Sequence, residues 1–186
     1  MPICEFKYKL SKVERGYNNR TLHVNVSNMK ITSKPVSDAM KEKFTGGRGF
    51  NLWLLWNALP KNRIVKWDDP GNEVCIACGP LGGTPNYPGS GKSIAVSISP
   101  LTGTVMDSNV GGYFGSYLKF AGWDALEIQG KAKSEVVILI DGDEGKVIPH
   151  GHAEYPRQHD FVHQRAKRDH EEAGVGAGRG PRAADG

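Results

Sequence analysis

Residues 79–93 read GPLGGTPNYPGSGKS, and residues 107–115 read DSNVGGYFG. Nine of the chain's 24 glycines lie between residues 79 and 115. Each glycine costs backbone entropy on folding, so this concentration in the middle of a chain needs a compensating role. Glycine lets backbone N–H groups approach a bulky anion closely, and phosphate is the first such ligand to consider. We therefore expect these loops to form an anion-binding surface.

The patterns around these loops predict an α+β fold, with mixed sheets and short helices. Alternating apolar residues predict a hairpin over 20–33. Further strands are predicted over 73–78, 93–97, 125–129, 135–140 and 145–148, and helices over 37–44, 50–59 and 111–121. Strands and helices do not alternate strictly, which favours α+β over α/β. Two strands run into similar Pro-Leu turns at residues 80–81 and 100–101, so we expect both turns at the same end of a sheet.

Composition bounds the class of protein. The chain has 186 residues and a net charge of +4, too mild a positive balance to indicate nucleic-acid binding. No apolar run approaches a membrane span, and the first residues lack the apolar stretch of a signal peptide. Three cysteines, an odd number, argue against a disulfide framework. We expect a cytoplasmic protein.

The chain changes character near residue 150. Residues 150–186 hold five of the six histidines and contain no Leu, Ile, Met or Trp. A segment so poor in aliphatic residues cannot bury much apolar surface. We therefore divide the chain into a domain over 1–149 and a His/Gly/Arg-rich tail over 150–186, which is disordered or is not the native continuation of the domain.

Two motifs suggest other chemistry and fail on context. Gly91-Lys92-Ser93 resembles the end of a P-loop, but the first glycine of that motif would fall at Asn86, and the residues after Lys92 alternate like a strand. Cys75 and Cys78 form a C-x-x-C pair within an apolar strand. Residues three apart in a strand point to opposite faces, so we expect two core cysteines. Cys4 lies in a terminus that we expect to be frayed.

Asn109 precedes the glycine pair Gly111-Gly112 at the predicted start of the helix over 111–121. Asparagine is a good N-cap, and a helix start offers free N–H groups to a phosphate. Lys92, on the earlier glycine-rich loop, would add a positive charge. From these residues alone, a capped helix packed on a sheet fits as well as an anion site.

Several blocks together resemble the N-terminal domain of the tungsten-containing aldehyde ferredoxin oxidoreductases. The resemblance spans about residues 20–148 and rests on the blocks GGRG at 46–49, GPLGGT at 79–84, SPLTG at 99–103, SNVGGYFG at 108–115, LKFAGWDA at 118–125 and GKA at 130–132. It implies one repeat of a pterin-binding domain. It also implies a tungsten bis-pyranopterin cofactor, with Mg²⁺ bridging the pterin phosphates.

The same resemblance implies an enzyme that oxidises aldehydes to carboxylic acids. Electrons would pass through a [4Fe–4S] cluster to ferredoxin or to an iron–sulfur subunit. The cluster's cysteine ligands in the family have no counterpart in this chain, so we expect the chain alone to be inactive. The alternative function is a stand-alone pterin- or anion-binding module. The resemblance is compatible with either a homo-oligomer or a hetero-oligomer.

Three cofactor-binding residues follow from the resemblance. Lys92 stands where family members often have an arginine that contacts the pterin; lysine keeps the charge but not the two-pronged hydrogen bonding. Asn109 matches an asparagine that contacts the cofactor and contributes to the magnesium–phosphate site. Gly111 matches a glycine whose backbone touches the cofactor, and Arg48 lies in a matching block as a neighbour. No residue of this chain is assigned a catalytic role.

Overall fold

The structure, a computed structural model, describes residues 3–87, 89–142 and 144–149. Its elements, in chain order, are β1 (Cys4–Lys7), β2 (Arg20–Asn25), β3 (Lys30–Pro35), α1 (Asp38–Lys43), α2 (Gly47–Ala58), β4 (Glu73–Cys78), β5 (Ser93–Ile98), β6 (Val105–Val110), α3 (Phe114–Phe120), β7 (Ala125–Gln129), β8 (Val136–Asp141) and β9 (Glu144–Pro149). The predicted α+β class is confirmed. The tail predicted over 150–186 lies outside the described residues.

The main sheet has six strands in the order β3-β2-β7-β4-β5-β6. β2 pairs with β7 in parallel, and the other neighbouring pairs are antiparallel. A smaller sheet has the order β1-β9-β8. The expectation that the two Pro-Leu turns share one end of a sheet is wrong. β4 and β5 are antiparallel neighbours, so the turn at Gly79 and the turn at Ser99 lie at opposite ends.

Three apolar clusters cover the two faces of the main sheet. On one face, the α2 side chains Phe50 and Leu55 pack in clusters that contain Ala77 and Val96 of the sheet. On the other face, Leu22, Val24, Leu126, Leu118 and Trp123 form a cluster. Phe6, Val136, Ile138 and Ile140 of the smaller sheet pack against that cluster. The domain is therefore layered, with α1 and α2 on one side and α3 with the smaller sheet on the other.

Local sequence signals place several elements correctly. β2 and β3 form the expected hairpin, in which Val24 faces Ile31. Ser37 caps α1 by accepting a hydrogen bond from the Met40 amide at 3.2 Å. Cys75 and Cys78 are both buried, Cys75 beside Leu55 of α2 and Cys78 with its thiol against α3, as the strand alternation predicts.

Three expectations about local structure are wrong. Cys4 is not in a frayed end but begins β1, where it lies opposite Val147 of β9. Asn109 is not a helix N-cap, because it belongs to β6 and lies opposite Ile94. The last predicted helix begins only at Phe114, after Tyr113, which makes no side-chain capping bond.

Within the described ranges, no helix is long and apolar enough to span a bilayer.

Candidate cofactor-binding site

The structure brings the three predicted site residues to one end of the β5–β6 pair. Ser93 lies opposite Val110, and Ile94 lies opposite Asn109. Lys92 immediately precedes Ser93, and Gly111 immediately follows Val110, so these two residues flank the same end of the ladder. The first glycine-rich loop thus ends, and the second begins, at the same end of this strand pair.

This end of the ladder is open to ligands. A Cβ atom built on Gly111 or Gly112 meets no atom within 4 Å, so the backbone there is accessible. Lys92 and Asn109 are exposed, and neither side chain makes an ion pair or hydrogen bond to another described residue. A cation, an amide and a bare glycine backbone are therefore all available to one bound group.

The N-terminus of α2 adds a feature that the motif analysis did not place here. The helix starts at Gly47, and a Cβ built on that glycine would lie 3.9 Å from Ile94, the cross-strand partner of Asn109. No acidic residue lies in the first turn, and the N-cap Gly46 provides no side-chain bond. The free N–H groups and the positive end of the helix dipole favour a negative group nearby. In the sequence, the GGRG motif at 46–49 marks this helix N-terminus.

Arg48 lies beside the site but is bonded to Asp107. Its Nε and Nη2 atoms donate to Asp107 Oδ2 at 3.0 and 2.7 Å. Asp107 and Asn109 are two residues apart in β6, so their side chains share one face of the sheet. The ion pair therefore links the start of α2 to the strand that carries Asn109. Arg48 lies next to the site with its guanidinium paired to Asp107.

Close backbone contacts fix the two loops against each other. A Cβ built on Gly91 would lie 2.7 Å from the carbonyl oxygen of Gly112, and one built on Gly115 would lie 3.1 Å from Ser93 Cβ. The Cys78 thiol donates to the carbonyl oxygen of Gly115 at 3.5 Å. These glycines are required for packing, whereas Gly111 has open space beside it.

A buried ion pair supports the loop that starts at Gly79. Lys119 Nζ lies 2.6 Å from Asp124 Oδ1 and donates to the carbonyl oxygen of Gly16 at 2.6 Å. A Cβ on Gly16 would in turn lie 2.5 Å from the carbonyl oxygen of Pro80. The ion pair thus holds residue 16 against the glycine-rich loop.

The geometry does not fit the nucleotide-binding alternative. A P-loop leads into a helix whose N-terminus faces the phosphates, whereas Ser93 starts strand β5. The C-x-x-C pair is also unsuited to metal binding. Burial raises the pKa of the Cys78 thiol to about 11 and the pKa of the Cys75 thiol further, so both stay protonated at neutral pH.

Among the described residues, no group of three or more His, Cys, Asp or Glu side chains could hold a metal ion.

Comparison with known proteins identifies the family. The sequence model described as aldehyde ferredoxin oxidoreductase, N-terminal domain, matches residues 21–177. The match continues past residue 149, where we placed the domain boundary, into residues that the structure does not describe. The division at 149 therefore stays a prediction.

Two curated relatives and one solved structure agree with this match. A tungsten-containing aldehyde ferredoxin oxidoreductase of Pyrococcus horikoshii is 39% identical over 129 residues, which is 69% of this chain and 21% of that protein. An aliphatic sulfonate oxidoreductase, WOR-like subunit, of Pyrococcus furiosus is 39% identical over 133 residues, which is 69% of this chain and 20% of that protein.

The solved active-site complex BamBC of benzoyl coenzyme A reductase, in complex with 1,5-dienoyl-CoA, has a TM-score of 0.69 at 26% identity. The alignment covers 84% of this chain and 23% of that one. The chain spans about a fifth of the length of the curated relatives it matches. This chain belongs to the aldehyde ferredoxin oxidoreductase family and corresponds to its N-terminal domain.

Proposed function

We propose that this chain is the cofactor-binding N-terminal part of an oxidoreductase that oxidises aldehydes to carboxylic acids, with ferredoxin as the electron acceptor. One observation carries the proposal: Lys92, Asn109 and Gly111 meet at an open end of the β5–β6 ladder. The relatives' printed names, which specify tungsten, aldehyde and ferredoxin, support the cofactor, the substrate class and the acceptor.

The residues present fit a tungsten bis-pyranopterin bound through its phosphates. Lys92 would supply positive charge to a phosphate oxygen, and the exposed backbone at Gly111 would donate an N–H at close range. The side-chain carbonyl of Asn109 would be a suitable ligand for a Mg²⁺ ion bound with the cofactor. A glycine at 111 leaves the space in which a flat ligand can lie against the backbone.

The bound cofactor would supply the two-electron redox chemistry, as cofactors of this kind do. The contribution of this chain is to bind and orient it. The N-terminus of α2 and the charge of Lys92 would stabilise the phosphates, while the Arg48–Asp107 ion pair links the start of α2 to β6. The close contact of Gly91 with Gly112 fixes the distance between the two loops.

The [4Fe–4S] cluster of the proposed enzyme would need ligands from outside this chain. The chain has three cysteines, of which Cys75 and Cys78 are buried on opposite faces of β4. Electron transfer would therefore run through further protein, to ferredoxin or to an iron–sulfur subunit. We place the assembled enzyme, a homo- or hetero-oligomer, in the cytoplasm.

The proposal is tested by producing the 186-residue chain in a tungstate-supplied host that makes pyranopterin. We expect pterin and tungsten to co-purify with the chain in less than stoichiometric amounts, and Asn109→Ala to lower both contents relative to the matched surface variant Asn62→Ala. We expect no oxidation of aldehyde with a viologen dye, because the cluster ligands are absent.

The outcomes separate the alternatives. Aldehyde turnover by the chain alone would contradict the claim that it is only the cofactor-binding part. Stoichiometric pterin on a chain that no further protein joins would favour a stand-alone binding module. Equal cofactor contents in the Asn109→Ala and Asn62→Ala variants would remove Asn109 from the site.

A further inference from the structure

A cluster of ionisable side chains lies on the α2 face of the main sheet, far from the candidate site. Glu73 and Glu127 are each 1% exposed. Glu127 lies opposite Cys75 in the β4–β7 register, so Glu73, two residues from Cys75, shares its face. Glu73 begins β4 and Gly79 follows its end, which separates the cluster from the glycine loop by roughly 20 Å.

The two carboxyl groups differ in the hydrogen bonds that their oxygens accept. Glu127 Oε2 accepts from Lys34 Nζ at 2.6 Å, and Glu127 Oε1 accepts from the Thr21 hydroxyl. Glu73 Oε1 accepts a hydrogen bond from the Cys75 thiol at 3.2 Å. Glu73 Oε2 is buried, and no described residue donates a hydrogen bond to it.

The nearest basic atom to Glu73 Oε2 is His23 Nε2, at 3.8 Å. The His23 side chain is 15% exposed, so it is itself largely shielded from water. Three charged or ionisable neighbours face this pair: Glu127 from β7, Lys34 from β3, and Cys75 from β4 itself. On the helices that cover this face, Arg48 pairs with Asp107 and Lys41 with Asp38.

The cluster thus contains two buried carboxyl groups and one fixed cation, Lys34. Full ionisation with a neutral His23 would leave one unpaired negative charge inside the sheet, which is costly in a medium of low dielectric. We propose that the Glu73 carboxyl and the His23 imidazole together hold one proton in the folded domain below neutral pH, and that the sheet loses the stabilisation this proton provides as the pH rises to neutrality.

The electrostatics place that proton on Glu73. Burial, with the nearby Glu127 carboxylate, raises the pKa of Glu73 to about 7. Burial, with the Lys34 ammonium, lowers the pKa of His23. An unfolded chain releases the proton of a glutamic acid at about pH 4.3. Between these two values unfolding releases the Glu73 proton, so the contribution of Glu73 to stability falls as pH rises and levels off above its pKa in the folded state. The lowered pKa of His23 acts in the opposite direction, because unfolding binds a proton at His23 below about pH 6.5.

The test is urea unfolding of the 186-residue chain at pH 5 and pH 8, compared with Glu73→Gln. Glutamine has the shape of the protonated carboxyl but does not titrate. The unfolding equilibrium constant of the unmodified chain should increase from pH 5 to pH 8. This increase should exceed the increase in Glu73→Gln by a factor on the order of 10 to 100. Glu42→Gln, a change at an exposed position in α1, should follow the unmodified chain.

An equal pH dependence in Glu73→Gln and the unmodified chain would overturn the proposal. If Glu73→Gln does not fold, carboxyl ¹³C NMR of the unmodified chain decides. A Glu73 signal that titrates near pH 7 is expected, and one that is fully ionised at pH 5.5 beside a neutral His23 would refute it.

Discussion

Lys119 and Asp124 form an ion pair almost completely shielded from water, and replacing Lys119 by methionine removes one partner from it. The side chains are 6% and 1% exposed, and Nζ lies 2.6 Å from Oδ1. Asp124 also accepts from the backbone N–H groups of Asn18, at 3.0 Å, and Asn19, at 2.7 Å. Lys119→Met therefore leaves a buried carboxylate with two amide donors and without the cation that pairs with it directly, while the Arg20 guanidinium acts on Asp124 at longer range.

The size of the effect follows from these partners. Removal of one member of a buried ion pair costs about 3–5 kcal/mol, because the other charge stays buried without compensation. The two backbone donors to Asp124 keep part of the stabilisation, so we expect the low end, about 3 kcal/mol. Domains of this kind have a total unfolding free energy of about 5–15 kcal/mol, so this loss is a large share.

Urea unfolding followed by far-UV circular dichroism measures the loss. The set comprises the unmodified chain, Lys119→Met, Asp124→Asn and the double variant, with Lys133→Met as a control at an exposed position. The loss of unfolding free energy in the double variant should be smaller than the sum of the losses in the two single variants. We expect a difference of more than about 1 kcal/mol, because the two groups interact directly. A loss below about 0.5 kcal/mol in Lys119→Met, or strict additivity of the two single variants, would show that this ion pair does not stabilise the fold.

Further predictions concern the glycine loops and the thiols. Gly91→Ala should destabilise the chain by about 1–3 kcal/mol in urea unfolding, because its Cβ would lie 2.7 Å from the Gly112 carbonyl oxygen. Gly111→Ala should change stability by less than about 0.5 kcal/mol, because its Cβ meets nothing within 4 Å, yet it should weaken cofactor binding; a large loss of stability there would contradict the open geometry. In native chain, Cys75 and Cys78 should react with a disulfide reagent far more slowly than in urea, since burial raises the pKa of both thiols; fast native reaction of either would show that the core is open.

How much the sequence could predict depended on whether the signal was local. The bounds of β4 and the β2–β3 hairpin follow from apolar alternation and a turn, and both are present. β6 was missed because VMDSNV is exposed along nearly its whole length and has no alternation to detect. β1 was missed because its partner β9 lies more than a hundred residues away in sequence.

The same distinction applies to the candidate site. The family resemblance predicted three site residues from short motifs: Lys92, Asn109 and Gly111. The β5–β6 register brings these residues to one end of the strand pair. The Glu73–His23 contact left no motif, because its two strands become near neighbours only through β7, which lies between them in the sheet. Such pairs depend on tertiary pairing that no local pattern encodes.

We propose that Lys92, Asn109 and Gly111 form a binding site for the phosphates of a pterin cofactor. A titration of ¹⁵N-labelled chain with magnesium pyrophosphate, followed by amide chemical shifts, tests this proposal. We expect saturable shifts confined to residues 46–49, 91–93 and 109–112. Lys92→Ala should weaken binding, and Lys133→Ala should leave it unchanged. Shifts that cluster elsewhere, or a Lys92→Ala variant that binds as tightly as the unmodified chain, would contradict it.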